Sequence, residues 1–421
     1  MKAVKPAALI LALGAPGAAF AAADEPPGRT AAGLLEYALQ NNPEYAAMRH
    51  EADAASERVT PAGALPDPKL RLELMDITRM GEQNPTLLPA RVGSTKYMLS
   101  QEIPWFGKRD LKREIAELDA DGARGRARGA WSEIAARLKT AHAQLYLLHR
   151  NERITREILD LMARLESTAH ARYAAGLAMQ QDVIRAQVEQ TAMRNDLIML
   201  ENEGNMLRAR INRLLARPAN APLAAPEALP PLPSPARLDA NALEERARAR
   251  NPRLFSEEAA IASAEKKREL AYKERYPDFM LGVTPVQYRS AIREWQVMVE
   301  FNIPLQQAPR RAMERESESM LAAARARREA TAHEVLSELA ENLSGIEAAR
   351  RTESLVRTSL LPQAELAYRS ALASYENGQG EFTMLLEAQQ QIRKAKLSQA
   401  KAESEAQMRL AEIERLLGEE L

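Results

Sequence analysis

Histidine, cysteine and methionine are the residue types that would first suggest a bound metal, and their spacing does not support one. Cysteine is absent, and no two of the five histidines lie three or four residues apart, the spacing that brings two ligands to one helix face. The 16 methionines are interpreted as helix packing, the common use of this flexible side chain. The sequence therefore predicts no metal site and no cofactor. The histidines are His50, His142, His149, His170 and His333.

Motifs and composition also argue against enzymes and nucleic-acid binders. The chain has no G-x-S-x-G segment, no P-loop and no G-x-G-x-x-G segment after a strand. Its 58 Lys and Arg residues balance 58 Asp and Glu residues, so it lacks the basic excess expected of a nucleic-acid binder. Charged residues make up 28% of the chain and mean hydropathy is −0.40, which excludes a helical membrane protein. We predict a non-enzymatic protein rich in long helices.

The amino-terminal residues 1–23 are typical of a secretory signal peptide. Lys2 and Lys5 form a basic start, an apolar run follows from residue 7 to about 15, and small residues lead to Ala23. A transmembrane anchor needs about 20 apolar residues, more than this run provides. We expect cleavage near Ala21 or Ala23 and export of the remaining chain.

The rest of the chain contains two copies of one unit. The segment Arg210–Ala216 recurs as Glu412–Gly418, and Tyr173–Gly176 recurs as Tyr375–Gly378, each 202 residues later. Seven prolines lie within 217–238, which prevents a helix there and predicts an extended linker. We predict repeat 1 at 24–216, a proline-rich linker at 217–238 and repeat 2 at 239–421.

Each copy has a helical start followed by two segments that alternate between apolar and polar residues. The helical starts are expected at about 31–59 and 239–275. Alternation of period two is typical of half-buried strands. The clearest case is the apolar series Trp295, Val297, Val299, Phe301 and Ile303. The predicted strands are 69–76, 92–103, 278–289 and 294–305.

Long helical hairpins follow the strands. Apolar residues from Trp131 to Leu148 recur at alternating spacings of three and four, which predicts a coiled-coil seam. Residues 109–172 contain no proline and would extend about 96 Å as one helix. We expect Gly122, Gly125 and Gly129 to bend this helix. The hairpin turns are predicted near 173–180 and 375–382.

Four strands are too few to close a membrane barrel, because the smallest bacterial barrels have about eight. An exported chain whose strands carry one apolar face is therefore expected to contribute part of a barrel shared between subunits. The alternative is a periplasmic protein in which two small hairpins pack on helices.

The order of signal, helix, two strands and long hairpin, repeated once, resembles the TolC-type outer-membrane factors. The resemblance covers essentially the whole mature chain, and its most specific segments are 101–109 (QEIPWFGKR) and 173–177 (YAAGL) followed by Asp182 and Val183. Segment 101–109 is similar to the heavy-metal branch, which exports cobalt, zinc, cadmium, copper or silver. The implied fold is mixed and mostly helical, with four strands per chain in a trimeric 12-stranded outer-membrane barrel above a periplasmic helical tunnel.

The resemblance also implies a function and partners. The chain would be a homotrimeric outer-membrane channel, the passive exit duct for cargo delivered by an inner-membrane pump through a periplasmic adaptor. Heavy-metal cations are the expected cargo. Drug efflux and type I secretion by the same fold are open alternatives. A further alternative is a soluble periplasmic coiled-coil scaffold. Members of this branch often carry a lipid-modified amino-terminal cysteine, which this chain lacks.

Carried onto this sequence, the family's functional positions fall at the two hairpin turns. One group is expected to dock the adaptor: Gly176, Leu177, Ala178, Gly378, Gln379 and Gly380. A second group is expected to form a gate: Asp182, Glu381, Met384 and Glu387. Family members often place aspartates in the second turn, and methionine replaces one of those acids here. The alternative to a gate is that these carboxylates are ordinary solvated groups, which the helix dipole favours at helix starts.

Overall fold

The structure, a computed structural model, describes residues 26–421, so the predicted signal peptide lies outside the described residues. The expected architecture of a mostly helical chain with one small four-stranded sheet is confirmed. The helices of the first half are α1 (Ala31–Asn41), α2 (Pro43–Glu57), α3 (Val59–Gly63), α4 (Lys108–Ala174) and α5 (Gln180–Leu214). Those of the second half are α6 (Ala240–Arg250), α7 (Pro252–Lys273), α8 (Gln307–Leu355), α9 (Leu361–Glu376) and α10 (Phe382–Leu417).

The four strands form one antiparallel sheet in chain order. They are β1 (Lys69–Met75), β2 (Ser94–Ile103), β3 (Phe279–Tyr288) and β4 (Ala291–Phe301). The two predicted hairpins are therefore joined through β2 and β3 into a single sheet, with Ile103 opposite Phe279. β4 begins three residues before the predicted 294 and ends four before the predicted 305.

An Asn-Pro pair interrupts each helical start, dividing α1 from α2 and α6 from α7. Asn42 accepts from the Tyr45 N–H at 3.0 Å and so caps α2, while its amide donates to the Leu214 carbonyl at 2.7 Å. Asn251 does the same for α7, donating to the Leu416 carbonyl at 2.7 Å. One side chain thus caps a helix and binds it to the end of the long hairpin. The helical segments expected at about 31–59 and 239–275 are present, each divided at its Asn-Pro pair.

Helix α4 runs unbroken for 67 residues, and Gly125 within it serves close packing. A Cβ added at Gly125 would lie 2.4 Å from the Ser256 hydroxyl and 2.8 Å from the Phe255 ring. Glycine is therefore required here because α7 crosses α4 too closely for a side chain. The helix is continuous through Gly122, Gly125 and Gly129, and the bend expected there stays a prediction.

The second long hairpin is less regular than the first. Between α8 and α9, residues Val356–Leu360 form one turn of π-helix. Pro362 follows at the start of α9 and has no N–H to donate to the preceding turn, which accounts for the local change in hydrogen bonding. The helix then continues to Glu376.

The buried apolar residues follow the helix seams. Ile134, Leu138 and Leu145 of the predicted heptad are buried against α1 and α5. A second cluster joins the two hairpins near their turns, around Met162, Tyr375 and Phe382. The segment 217–238 has no regular structure before the 3₁₀ turn Pro235–Leu238. None of the helices among residues 26–421 is both long and apolar enough to cross a membrane.

Candidate functional sites: the apolar sheet face, the strand–helix junction and the hairpin turns

One face of the sheet carries a continuous apolar row. Leu70, Leu99, Val283 and Val297 lie directly opposite one another across the four strands. All four side chains are exposed, and Val297 retains 77% of its accessible surface. The apolar residues predicted on β4 lie on this exposed face, and Trp295, Val299 and Phe301 are exposed as well. Contiguous apolar surface of this kind marks contact with lipid or protein.

The sheet has two open edges. Within residues 26–421, β1 pairs only with β2, and β4 pairs only with β3. The outer backbone N–H and C=O groups of both edge strands are therefore free to pair with a further strand. The register between β3 and β4 shifts once, between Val286 and Gln287, close to the two-residue turn.

A buried lysine lies where the sheet meets the helices. Lys108, the first residue of α4, is only 2% exposed. Its ammonium donates to the Glu274 carboxylate at 3.2 Å, to the Asp278 carboxylate at 3.0 Å and to the Tyr276 carbonyl at 3.1 Å. All three N–H donors thus have an acceptor, which a buried ammonium requires.

The same junction is covered by aromatic rings. Trp105 stacks on Tyr276 at a centroid distance of 5.1 Å, and its backbone N–H donates to Asp278 at 2.7 Å. Gly107 has φ 76°, and a Cβ there would meet the Lys273 ammonium at 2.3 Å. Sequence reasoning did not find Lys108 as a buried residue, because a charged side chain at a helix start usually lies in water.

The two hairpin turns have the same backbone geometry. At the first, Gly176 has φ 73° and the Leu177 N–H donates to the Arg172 carbonyl at 2.8 Å. At the second, Gly378 has φ 74° and the Gln379 N–H donates to the Ser374 carbonyl at 2.9 Å. These are Schellman endings, which favour glycine at the left-handed position.

Gly380 does not share that property. Its backbone does not adopt positive φ. It is needed for space instead, because an added Cβ would lie 2.9 Å from the Cβ of Ser374. Leu177, by contrast, projects from its turn with 66% of its surface exposed.

The turns lie side by side in one chain and are joined by polar contacts. The Arg172 guanidinium lies 5.2 Å over the Tyr375 ring and donates to the Glu376 carbonyl at 2.6 Å. The Tyr375 hydroxyl reaches the Asp182 carboxylate at 3.5 Å. Burial, followed by the nearby Asp182 charge, raises the pKa of Tyr375. Asp182 is therefore engaged by the second hairpin and only half-exposed.

The other gate candidates lie at the start of α10. Glu381, Met384 and Glu387 are all exposed, while Phe382 and Leu385 between them are buried in the cluster that joins the hairpins. The side chains expected to act together thus share one exposed helix face, with Asp182 set apart on α5. Among the described residues there is no group of three or more His, Asp or Glu side chains arranged to hold a metal ion.

The chain belongs to the outer membrane efflux protein family. The model of that family matches residues 34–217 and 243–419. A search among curated proteins found no match.

Solved structures of channels share the fold. The outer-membrane channel OprN is 23% identical, with a TM-score of 0.77 over 92% of this chain and 89% of OprN. The outer membrane protein VceC of Vibrio cholerae is 16% identical, with a TM-score of 0.79 over 93% and 96% of the two chains. CusC, which forms a transmembrane channel, is 15% identical, with a TM-score of 0.79 over 92% of each chain.

Replacing Lys108 with methionine should destabilise the junction between sheet and helices. The change leaves the Asp278 and Glu274 carboxylates without their shared cation, and hydrogen bonds to a charged group contribute about 1.5–3 kcal/mol each. Because both carboxylates are partly exposed, we expect a total loss of only about 2–3 kcal/mol. Denaturant unfolding followed by circular dichroism measures it. Lys112→Met, at an exposed position of the same helix, is the control, and an equal loss in both variants would contradict the assignment.

Proposed function

We propose that the chain is the outer-membrane exit duct of a tripartite efflux system, working as a homotrimer. The observation that carries this proposal is the pairing of an apolar sheet face with two open sheet edges. In lipid, unpaired edges would leave backbone groups unsatisfied, and three copies of a four-stranded sheet joined edge to edge would close a 12-stranded barrel. The apolar face would then contact lipid, with the helices in the periplasm.

Exposed apolar residues on the hairpins support assembly with further copies. Ile184, Val188 and Ile198 of α5 are exposed, as are Leu355 and Leu366 of the second hairpin. They lie on helices whose other faces are already buried within the chain. Neighbouring copies that bury these stripes would form a closed helical tunnel, each contributing its two repeats, 24–216 and 239–421.

The proposed partners are a periplasmic adaptor and an inner-membrane pump, and the proposed cargo is heavy-metal cations. The similarity of segment 101–109 to the heavy-metal branch supports this cargo, and the structure shows that segment forming the Trp105 and Lys108 junction. Drug efflux and type I secretion use the same fold and are the alternatives. The export of metal, drug and protein substrates by cells carrying or lacking the gene distinguishes them.

We assign adaptor docking to the turns and gating to the start of α10. The exposed Leu177 and the backbone around Gly176, Ala178, Gly378, Gln379 and Gly380 form the end of the hairpins furthest from the sheet. Under threefold symmetry, Glu381 and Glu387 would form acidic rings beside Met384, and such rings concentrate cations. Asp182 would contribute through its contact with Tyr375 rather than by facing the pore.

Arginine at Val299 should prevent assembly in the membrane. Val299 is exposed on the apolar face of β4, and a cationic side chain near the middle of a bilayer costs about 2–4 kcal/mol. The measurement is the yield of heat-modifiable trimer in the outer-membrane fraction. Glu300→Arg, on the opposite face of the same strand, is the control and should assemble. Normal trimer yield from Val299→Arg, or a soluble monomer from the wild type, would overturn the proposed function.

Aspartate at Leu177 should abolish export while leaving the trimer intact. The turn backbone accepts this change because Leu177 is exposed, whereas an apolar docking contact would lose its main side chain. Trimer yield and cargo export are measured together. Met80→Asp, at an exposed residue in the loop between β1 and β2, is the control. Export at the wild-type level by the Leu177 variant would exclude this residue from docking.

Glutamine at Glu387 should lower the cation selectivity of the isolated channel. The change removes one charge per chain, and therefore three in a symmetric trimer, with almost no change in side-chain shape. Conductance and reversal potential in planar bilayers measure the effect. Glu57→Gln, at an exposed carboxylate of α2 outside the hairpins, is the control. If the two variants have the same selectivity as the wild type, Glu387 is not part of the gate.

A further inference from the structure

A surface hollow lies between α7 and α8, close to the end of the sheet. Its volume is about 560 Å³. Helix α7 ends at Lys273 and β3 begins at Phe279, so the side chains that α7 contributes to the hollow lie only a few residues from the sheet. Two rings, those of Tyr272 and Tyr276, line it together with basic side chains. This hollow is separate from the hairpin turns.

Aromatic rings connect the hollow to the apolar face of the sheet. Phe279 lies on the same face as Leu281, opposite Phe301, whose side chain is 55% exposed. The Trp105 ring lies between Phe279, at a centroid distance of 5.5 Å, and Tyr276, at 5.1 Å. Because Tyr276 also lines the hollow, the hollow opens on the side of the chain that carries the apolar face. Aromatic rings of this kind are enriched at the level of lipid headgroups.

Two cations of the hollow have no carboxylate partner. Arg275 is paired with Glu314 at 2.7 Å. Arg268 and Lys273, by contrast, form no ion pair among residues 26–421, although both line the hollow and both are half-buried. A half-buried cation without a counter-ion favours binding of an anion from outside the chain.

The carboxylates of the same hollow are already engaged. Glu269 is paired with the Lys266 ammonium at 3.4 Å. Glu318 accepts a hydrogen bond from the Tyr272 hydroxyl. The acidic side chains therefore have donors of their own, and the positive charge of the two unpaired cations is available to a ligand.

We infer that this hollow binds the headgroup of a negatively charged phospholipid in the periplasmic leaflet. The inference rests on the proposed function, which places the apolar face in lipid and the helices in the periplasm. The lipid phosphate would accept from the Arg268 guanidinium and the Lys273 ammonium, and the acyl chains would lie along Phe279 and the apolar face. Free phosphate could use the same two cations, but it has no apolar part to contact the rings.

Native mass spectrometry of the full-length trimer in detergent tests the inference. The probes are dioleoyl phosphatidylglycerol, which is anionic, and dioleoyl phosphatidylcholine, which has the same chains and no net charge. We expect one tightly bound phosphatidylglycerol per chain and at least about tenfold weaker binding of phosphatidylcholine. Equal binding of the two lipids would show apolar contact only and overturn the inference. Displacement of phosphatidylglycerol by excess inorganic phosphate would show a free-phosphate site and overturn it as well.

A double variant locates the lipid in this hollow. Arg268→Gln with Lys273→Gln breaks no ion pair among the described residues, so we expect normal trimer yield and at least about tenfold weaker binding of phosphatidylglycerol. The matched control is Arg248→Gln with Lys401→Gln, which removes one Arg and one Lys that are exposed on α6 and α10. The control should bind the lipid as the wild type does. Unchanged binding by the first variant, or equal losses in both, would refute the site.

Trimer yield separates this inference from the proposed function. A wild-type trimer that does not prefer phosphatidylglycerol would overturn only the lipid site. A wild-type chain that stays a soluble monomer would overturn the proposed function, and the lipid site with it.

Discussion

The buried ammonium of Lys108 is the contact on which the arrangement of sheet and helices depends. It begins α4, and its acceptors come from the end of α7 and the start of β3, so one charge joins the first repeat to the second. A cation taken out of water at this point is tolerable only because three acceptors surround it. These contacts of Lys108 fix the direction of α4 relative to the sheet. The stacking of Trp105 on Tyr276 shields the same contact from water.

Because the chain contains two copies of one unit, the same helix cap and the same helix ending occur twice. Asn42 and Asn251 each cap a helix and bind the last turn of a long hairpin, in the same geometry and at the same distance of 2.7 Å. Gly176 and Gly378 end their helices with the same left-handed residue. The repeats differ where packing demands differ: the π-helical turn at 356–360 has no counterpart in the unbroken α4.

A single chain leaves its most apolar surfaces uncovered. The row from Leu70 to Val297 crosses an open sheet, and the hairpins expose further apolar stripes. Exposed apolar surface of this extent favours burial against lipid or protein, and under the proposed function lipid and further copies of the chain would cover it. These uncovered surfaces are the reason that the proposed function requires an assembly of several chains in a membrane.

The sequence by itself determined the features that depend on neighbouring residues. Period-two alternation located all four strands, heptad spacing located the seam of α4, and the recurrence of Tyr173–Gly176 at Tyr375–Gly378 located both turns. Such patterns are visible because they reflect the geometry of a single strand, helix or turn. Only the tertiary structure decided what depends on contacts between distant residues. Lys108 finds its acceptors 166 and 170 residues away, and Gly125 lies where α7 approaches α4 too closely for a side chain. No local pattern encodes those neighbours, because they meet only when the two repeats pack together.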